Sequence, residues 1–249
     1  MNALVVGGSG GIGLSIVLEL LHKKEVARVY VLDKNPFPAE YTDARIEFMQ
    51  FDLTRTDVAE VLSMMKEIRW LYITAGFGHL RYFQENDERY IRDSFAVNSV
   101  APICIIRHFY EQLLSSEPFY CGVMVSITGR LNSPMFSIYS ATKAALTKFI
   151  EAVNVELEVQ GSENKILDVS PGMIEGTGFY GKANDPSRTA KLAKEIIAWN
   201  ERREMLYIPK YEEVFKDVIR RYHEDGHKFG VESYEYKQKR IQKSNYDGI

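Results

Sequence analysis

The sequence has only two cysteines, Cys104 and Cys121, among 249 residues. That excludes a disulfide-stapled scaffold, and two half-buried thiols in a reducing compartment are expected. It has no apolar run approaching the roughly 20 residues that a bilayer-spanning helix needs. Its opening, Met1 to Val6, carries no basic stretch and runs straight into glycines, so it does not read as a secretory leader. A cytoplasmic location with no membrane partner is the expectation. Nor does one charge dominate: 31 Lys and Arg stand against 34 Asp and Glu, a net −3. That balance argues against a strongly basic nucleic-acid binder. Internal repeats and low-complexity stretches are missing too. What remains is an ordinary globular composition, 45% hydrophobic and 26% charged, in a chain long enough to bury a full core.

Short apolar runs alternate with helical patterns along the chain. Strand-like runs fall at Ala3 to Val6, Val26 to Leu32, Ile46 to Phe51, Trp70 to Thr74, Val123 to Ile127, Lys165 to Val169 and Met205 to Ile208. Helical spacing falls at Ile12 to Leu21, Glu88 to Phe95, Pro102 to Leu114, Tyr139 to Val159, Ser187 to Arg203 and Tyr211 to Tyr222. Continuous apolar strands separated by helices predict an α/β protein: a single-domain, Rossmann-type, doubly wound parallel sheet with helices on both faces. The domain is read as 1–230, with a loop from Gly172 to Pro186 that opens a substrate segment, 172–203. The remainder, 231–249, is polar and reads as a solvated, partly disordered tail.

The first turn is Gly7-Gly8-Ser9-Gly10-Gly11-Ile12-Gly13, between a strand and a helix. Glycines there let the chain turn sharply and bring backbone N–H groups and a helix N-terminus against a pyrophosphate. Ser9, Gly10, Gly11 and Ile12 are therefore candidate cofactor contacts, framed by Gly7 and Gly13. Asp33 ends the second strand, 20 residues after Gly13. Its carboxylate suits the ribose hydroxyls of an adenosine and repels a 2′-phosphate, which favours NAD over NADP. The neighbouring Lys34 could soften that choice.

Tyr139-Ser140-Ala141-Thr142-Lys143 opens the longest helical stretch. Positions four apart share a helix face, so phenol and ammonium are neighbours. The positive charge stabilises the phenolate and draws the tyrosine from near 10 towards neutral pH, where acid–base catalysis works best. Ser126 stands 13 residues earlier at a strand end, where ligands of parallel sheets sit, and can hydrogen-bond a substrate oxygen.

With these motifs in place the chain resembles the short-chain dehydrogenases/reductases over residues 1 to about 180. Gly7, Gly11 and Gly13 match the family's glycine pattern, with Val6 in place of its usual threonine. Asp52-Leu53 resembles the acidic pair that holds the adenine. Thr74-Ala75-Gly76 resembles the end of the Asn-Asn-Ala-Gly segment, with Ile73 and Thr74 replacing both asparagines. Asn98 matches the family's helix asparagine, and Pro171-Gly172-Met173-Ile174 its turn beside the nicotinamide, where Ile174 meets the carboxamide. The family's threonine after that proline is displaced by one, to Thr177. The resemblance implies reversible hydride transfer between a nicotinamide cofactor and the carbonyl or secondary-alcohol carbon of a small substrate. Tyr139 is the implied acid–base, Lys143 lowers its pKa and holds the ribose, Ser126 positions the substrate oxygen, and Asn98 orders a water relay to Lys143. A homodimer or homotetramer is implied as well, through an apolar face on the Tyr139 helix and the stretch from Val100 to Leu114. A competing reading keeps the fold and the NAD site but makes the protein a non-catalytic sensor or scaffold. A third, epimerisation or dehydration through bound NAD, needs a larger C-terminal region.

Other signals are weaker. His223-Glu224-Asp225-Gly226-His227 matches a zinc-protease pattern, but Asp225-Gly226 is a turn signal and no third ligand follows, so no metal is expected. His79, after Ala75-Gly76-Phe77-Gly78, could touch substrate, although a surface loop histidine is the plainer reading. Arg130 reads as a solvated arginine. Phe77, Phe136, Phe179 and Tyr180 hint at an apolar or ring-bearing substrate.

Overall fold

The computed structural model of the protein describes residues 1–55, 57–180 and 184–246. Strand β1 (Asn2–Val6) leads through the glycines into helix α1 (Gly11–Leu21), then β2 (Arg28–Asp33) and β3 (Ile46–Gln50). A short helix α2 (Val58–Ser63), which periodicity does not reveal, precedes β4 (Ile68–Ile73). Next come α3 (Glu88–Phe95), a π-helical turn (Ala96–Val100), α4 (Ala101–His108) and α5 (Tyr110–Leu114). The single helix expected over Pro102 to Leu114 is therefore two, broken where Phe109 leaves helical geometry. β5 (Tyr120–Met124), α6 (Ser137–Val159), β6 (Ile166–Val169), α7 (Pro186–Glu201) and β7 (Leu206–Tyr207) complete the alternation. Asp185 caps α7 by accepting from the Ser187 N–H at 3.1 Å, and Pro186 takes the first helical position, where its missing N–H is harmless.

All pairings are parallel and the order is β3-β2-β1-β4-β5-β6-β7. Alternate β1 residues face opposite layers. Leu4 and Val6 pack towards α4 and α6 through Ile105 and Leu146, whereas Ala3 and Val5 pack towards α1 and α7 through Ile16 and Ile196. Burial on both faces is why the strands read as unbroken apolar runs. The order reverses between β1 and β4, which opens a crevice beyond the carboxyl ends of those strands.

The C-terminal region differs from its expected solvated tail. A second π-helical turn (Tyr211–Phe215) runs into α8 (Lys216–Glu224), and α9 spans Gly226–Tyr246. The Asn132 amide donates to the Gly226 carbonyl at 2.6 Å, and Lys237 Nζ donates to Ser133 Oγ at 2.6 Å and to the Pro134 carbonyl at 2.9 Å. α9 thus lies across the loop that leads to Tyr139. α8 ends between His223 and His227, so those two side chains do not share a helix face. Among the described residues no helix is long and apolar enough to cross a membrane.

Candidate active site

A cleft of about 1070 Å³ opens at the switch between β1 and β4, and its lining includes the glycine turn, Asp33, Ser126, Tyr139 and Lys143. The turn is built by close approach. Gly7 adopts φ +86°, and a Cβ there would lie 2.4 Å from the Ala75 nitrogen; a Cβ on Gly13 would lie 2.2 Å from the Gly7 carbonyl oxygen. Only glycine fits either position. The Thr74 hydroxyl lies 3.0 Å from the Val6 carbonyl and 3.1 Å from that of Gly7. It fastens the turn to β4, so the threonine that replaces an asparagine still supplies a local hydrogen bond.

Asp33 turns back onto this loop, accepting from the Ser9 N–H at 3.0 Å and the Asn35 N–H at 2.9 Å. Each oxygen keeps a second lone pair for a hydroxyl donor. The Ser9 hydroxyl is buried and has no partner among the described residues. The Gly11 N–H, at the start of α1, donates to the Asn184 side-chain oxygen at 2.9 Å, which also accepts from the Gly178 N–H at 2.9 Å. A lone buried hydroxyl and a helix-start N–H that already holds an oxygen acceptor fit a pyrophosphate. Gly10, Ile12, Lys34, Asp52, Leu53, Ala75 and Gly76 line the same end. The Thr54 backbone N–H donates to Asp52 and holds its carboxyl below the usual range.

The expected chemical residues converge at the other end. Ser126 lies two residues beyond β5 and is buried. Its hydroxyl accepts from Thr128 N–H at 3.2 Å and Thr128 Oγ1 at 3.0 Å. Tyr139 and Lys143 lie one turn apart on α6, with the Lys143 nitrogen 5.8 Å from the tyrosine ring centroid. Gly78 lets the loop after β4 pack on that ring: a Cβ there would be 2.6 Å from Tyr139 Cδ2. Lys143 is buried and donates to the Met124 carbonyl at 2.8 Å. Burial pulls it down to about 8, opposed by the negative charge of Asp168.

Asn98 sits buried within the first π-helical turn, a local irregularity that often marks functional positions. Its side chain accepts from the Phe77 N–H at 3.0 Å, and donates to the Phe77 carbonyl at 2.8 Å and Thr142 Oγ1 at 3.2 Å. Its amide ties the β4 loop to α6 and makes no direct bond to Lys143. Pro171, Gly172 and Ile174 border the cleft, and the Pro171 carbonyl accepts from the Ile127 N–H at 3.0 Å. Thr177 packs beside Gly11, 3.4 Å from where a Cβ would stand. Residues 181–183 of the substrate segment and the side chain of Tyr180 lie outside the described part.

Arg130 is not a solvated arginine. It lies mostly buried, donating to Asp168 at 2.5 Å and Glu151 at 3.2 Å, and so binds the turn after Ser126 to β6 and α6. Phe136 and Phe179 flank Tyr139 with ring centroids 5.8 Å and 5.3 Å away, and His79 lines the cleft. Asn184 and Lys237 are the contributors that residue patterns do not reveal. The run Asn184-Asp185-Pro186 signals a helix start, but nothing in it points to a glycine loop 173 residues away.

The chain is a doubly wound, Rossmann-type α/β protein, with a glycine turn at its switch point and a serine, a tyrosine and a lysine lining the same cleft. The family model for short chain dehydrogenases matches residues 1–188, and the chain belongs to that family. One relative, an uncharacterized oxidoreductase of Saccharomyces cerevisiae, is 28% identical over 186 residues, which is 72% of this chain and 56% of that protein's length. The chain thus matches little more than half of that relative. A short-chain dehydrogenase from Streptomyces avermitilis superposes with a TM-score of 0.73 at 23% identity, covering 98% of this chain and all (100%) of that one. A Burkholderia cenocepacia short chain dehydrogenase solved with NADP gives 0.70 at 22% identity, covering 87% and 91%. At those identities the likeness is one of fold.

Proposed function

We propose that the protein is an oxidoreductase that passes a hydride between a nicotinamide cofactor and the carbonyl or secondary-alcohol carbon of a small substrate. The observation that carries this reading is that Ser126, Tyr139 and Lys143 line one cleft with the glycine turn and Asp33. When bound, the nicotinamide cofactor supplies or accepts the hydride. Ser9, the Gly11 N–H and the start of α1 would hold its pyrophosphate, and Asp33 its adenosine ribose. Asp52 and Leu53 border the adenine, and Pro171, Gly172 and Ile174 the nicotinamide end. Ser126 orients the substrate oxygen, and Tyr139 gives its phenolic proton to that oxygen on reduction or takes one on oxidation. The Lys143 ammonium stabilises the phenolate. Asn98 fixes the Phe77 backbone and the α6 turn that carry these groups in place.

NAD is the preferred cofactor in this reading. The Asp33 carboxylate would accept from ribose hydroxyls and repel a 2′-phosphate, and Lys34 extends towards Phe77, its nitrogen 6.0 Å from that ring. Assembly as a homodimer or homotetramer belongs to the same reading, with exposed Val155 and Val159 of α6 as part of the contact. Tyr139→Phe tests the mechanism. Turnover is expected to drop by about 10²–10⁴ with cofactor affinity unchanged, measured by absorbance and by titration of nicotinamide fluorescence. Normal turnover by this variant would refute the role given to Tyr139.

A further inference from the structure

His79 lines the cleft on the loop after β4, and that loop packs against the Tyr139 ring at Gly78. Its imidazole is held from several sides. The ring centroid lies 6.2 Å from Phe77 and 5.5 Å from Tyr90, and the His79 backbone N–H donates to the Tyr90 hydroxyl at 3.0 Å. Arg81 Nη2 lies 3.1 Å from Nδ1. A guanidinium has only donors, so Nδ1 must accept, and the ring is then neutral with its proton on Nε2. Burial and the Arg81 charge also hold the imidazole below its ordinary pKa. His79 stays exposed at the cleft, and its Nε2–H has no protein partner among the described residues.

Arg81 itself is anchored. Its backbone N–H donates to the Met135 carbonyl at 3.0 Å, and its guanidinium carbon stands 3.9 Å from the Tyr90 ring centroid. Its Nε is buried with no hydrogen-bond partner, and no carboxylate lies within ion-pair distance among the described residues. The acids on the same segment are occupied: Glu85 accepts from the Tyr82 N–H, Asp87 from the Tyr90 N–H, and Asp93 lies 3.6 Å from Arg89. Lys237, across the loop that carries Phe136, likewise has no carboxylate partner among the described residues; it donates to Ser133 and Pro134. The cleft therefore presents, at His79, a neutral N–H donor backed by the Arg81 guanidinium; Phe136 and Phe179 add apolar surface to its lining, and the Asp93 carboxylate lines it too.

We propose that His79, held by Arg81, selects the substrate by donating from Nε2 to a carboxylate, so that the substrate is an oxo or hydroxy acid with an apolar or aromatic body. This rests on the oxidoreductase reading and narrows its substrate class. Arg81 is the positioning residue: it fixes the tautomer and strengthens the donor without touching substrate.

The test is calorimetric titration into protein saturated with the oxidised dinucleotide, which cannot reduce the added carbonyl. The probes are phenyl-substituted oxo acids with the carbonyl α, β or γ to the carboxylate, each beside its methyl ester. At least one acid is expected to bind about tenfold or more tighter than its ester. His79→Ala should abolish that preference while leaving the ester's affinity unchanged. His79→Gln, which keeps an N–H donor at similar reach, should restore most of it. Arg81→Gln should weaken the acid only. Dinucleotide binding by each variant checks that it is folded. Equal binding of acid and ester in every pair, no binding of any acid, or an unchanged preference in His79→Ala overturns the inference alone. Failure of the unaltered protein to bind either dinucleotide overturns the oxidoreductase reading, and this inference with it.

Discussion

Lys143 is desolvated at the base of the Tyr139 turn, and burial draws its ammonium from 10.5 down to about 8. The folded state therefore holds fewer protons than the unfolded chain between about 8 and 10.5, and stability rises with pH across that window. The difference corresponds to ~3 kcal/mol of unfavourable charge burial near neutrality. Lys143→Met should accordingly stabilise the protein by ~1–3 kcal/mol at pH 7, read as a higher urea midpoint, and the gain should shrink as pH approaches 10.5. Catalysis should respond in the opposite direction: turnover supported by the charged lysine falls as pH rises through about 8, and Lys143→Met loses most of it. A variant both less stable and fully active would contradict this account of Lys143. At this scale the sequence is informative where chemistry depends on local spacing. Tyr139 and Lys143 stand one helical turn apart, and Gly7 and Gly13 sit where a side chain would strike backbone. Arg130 is misread from sequence because its partner Asp168 is 38 residues away, and an arginine's burial depends on that distant match.

Among the elements, α9 departs furthest from what residue patterns suggest. Its polar composition resembles a solvated tail, yet it buries the Lys237 stem and places the ammonium 5.6 Å from the Phe136 ring centroid. Long basic side chains can cover apolar surface while keeping the charged head hydrogen-bonded. That is why neither periodicity nor composition betrays the contact. Lys237→Ala should free the loop around Ser133 and Pro134 by removing two hydrogen bonds, speeding amide exchange there and raising the substrate KM. Cofactor affinity should stay the same. Unchanged exchange and KM would mean that α9 merely rests on the surface. The strands, by contrast, are legible because burial on both faces leaves continuous apolar runs. The break at Phe109 and the π-helical turn at Asn98 are not, since both are set by how α3 to α6 pack together.

Across the whole molecule, the strand order brings the ends of β1, β4, β5 and β6 to one crevice, so distant segments meet without long-range sequence signals. The glycine turn, Asp33, Ser126 and the α6 pair are separately readable, and their alternation with helices predicts that they share an edge. The contact of Asn184 with Gly11 and the His79–Arg81 pair emerge only from the folded loops. The proposed cofactor choice belongs to this scale too, because it rests on a carboxylate, Asp33, that the β2 end and the glycine turn hold in place together. Separate titrations of NADH and NADPH, followed by nicotinamide fluorescence, test that most directly. Saturable binding with NADH favoured about tenfold or more over NADPH is the predicted result, equivalent to about 1.4 kcal/mol. A preference for NADPH would contradict the role of Asp33, and binding of neither would contradict the nicotinamide site itself.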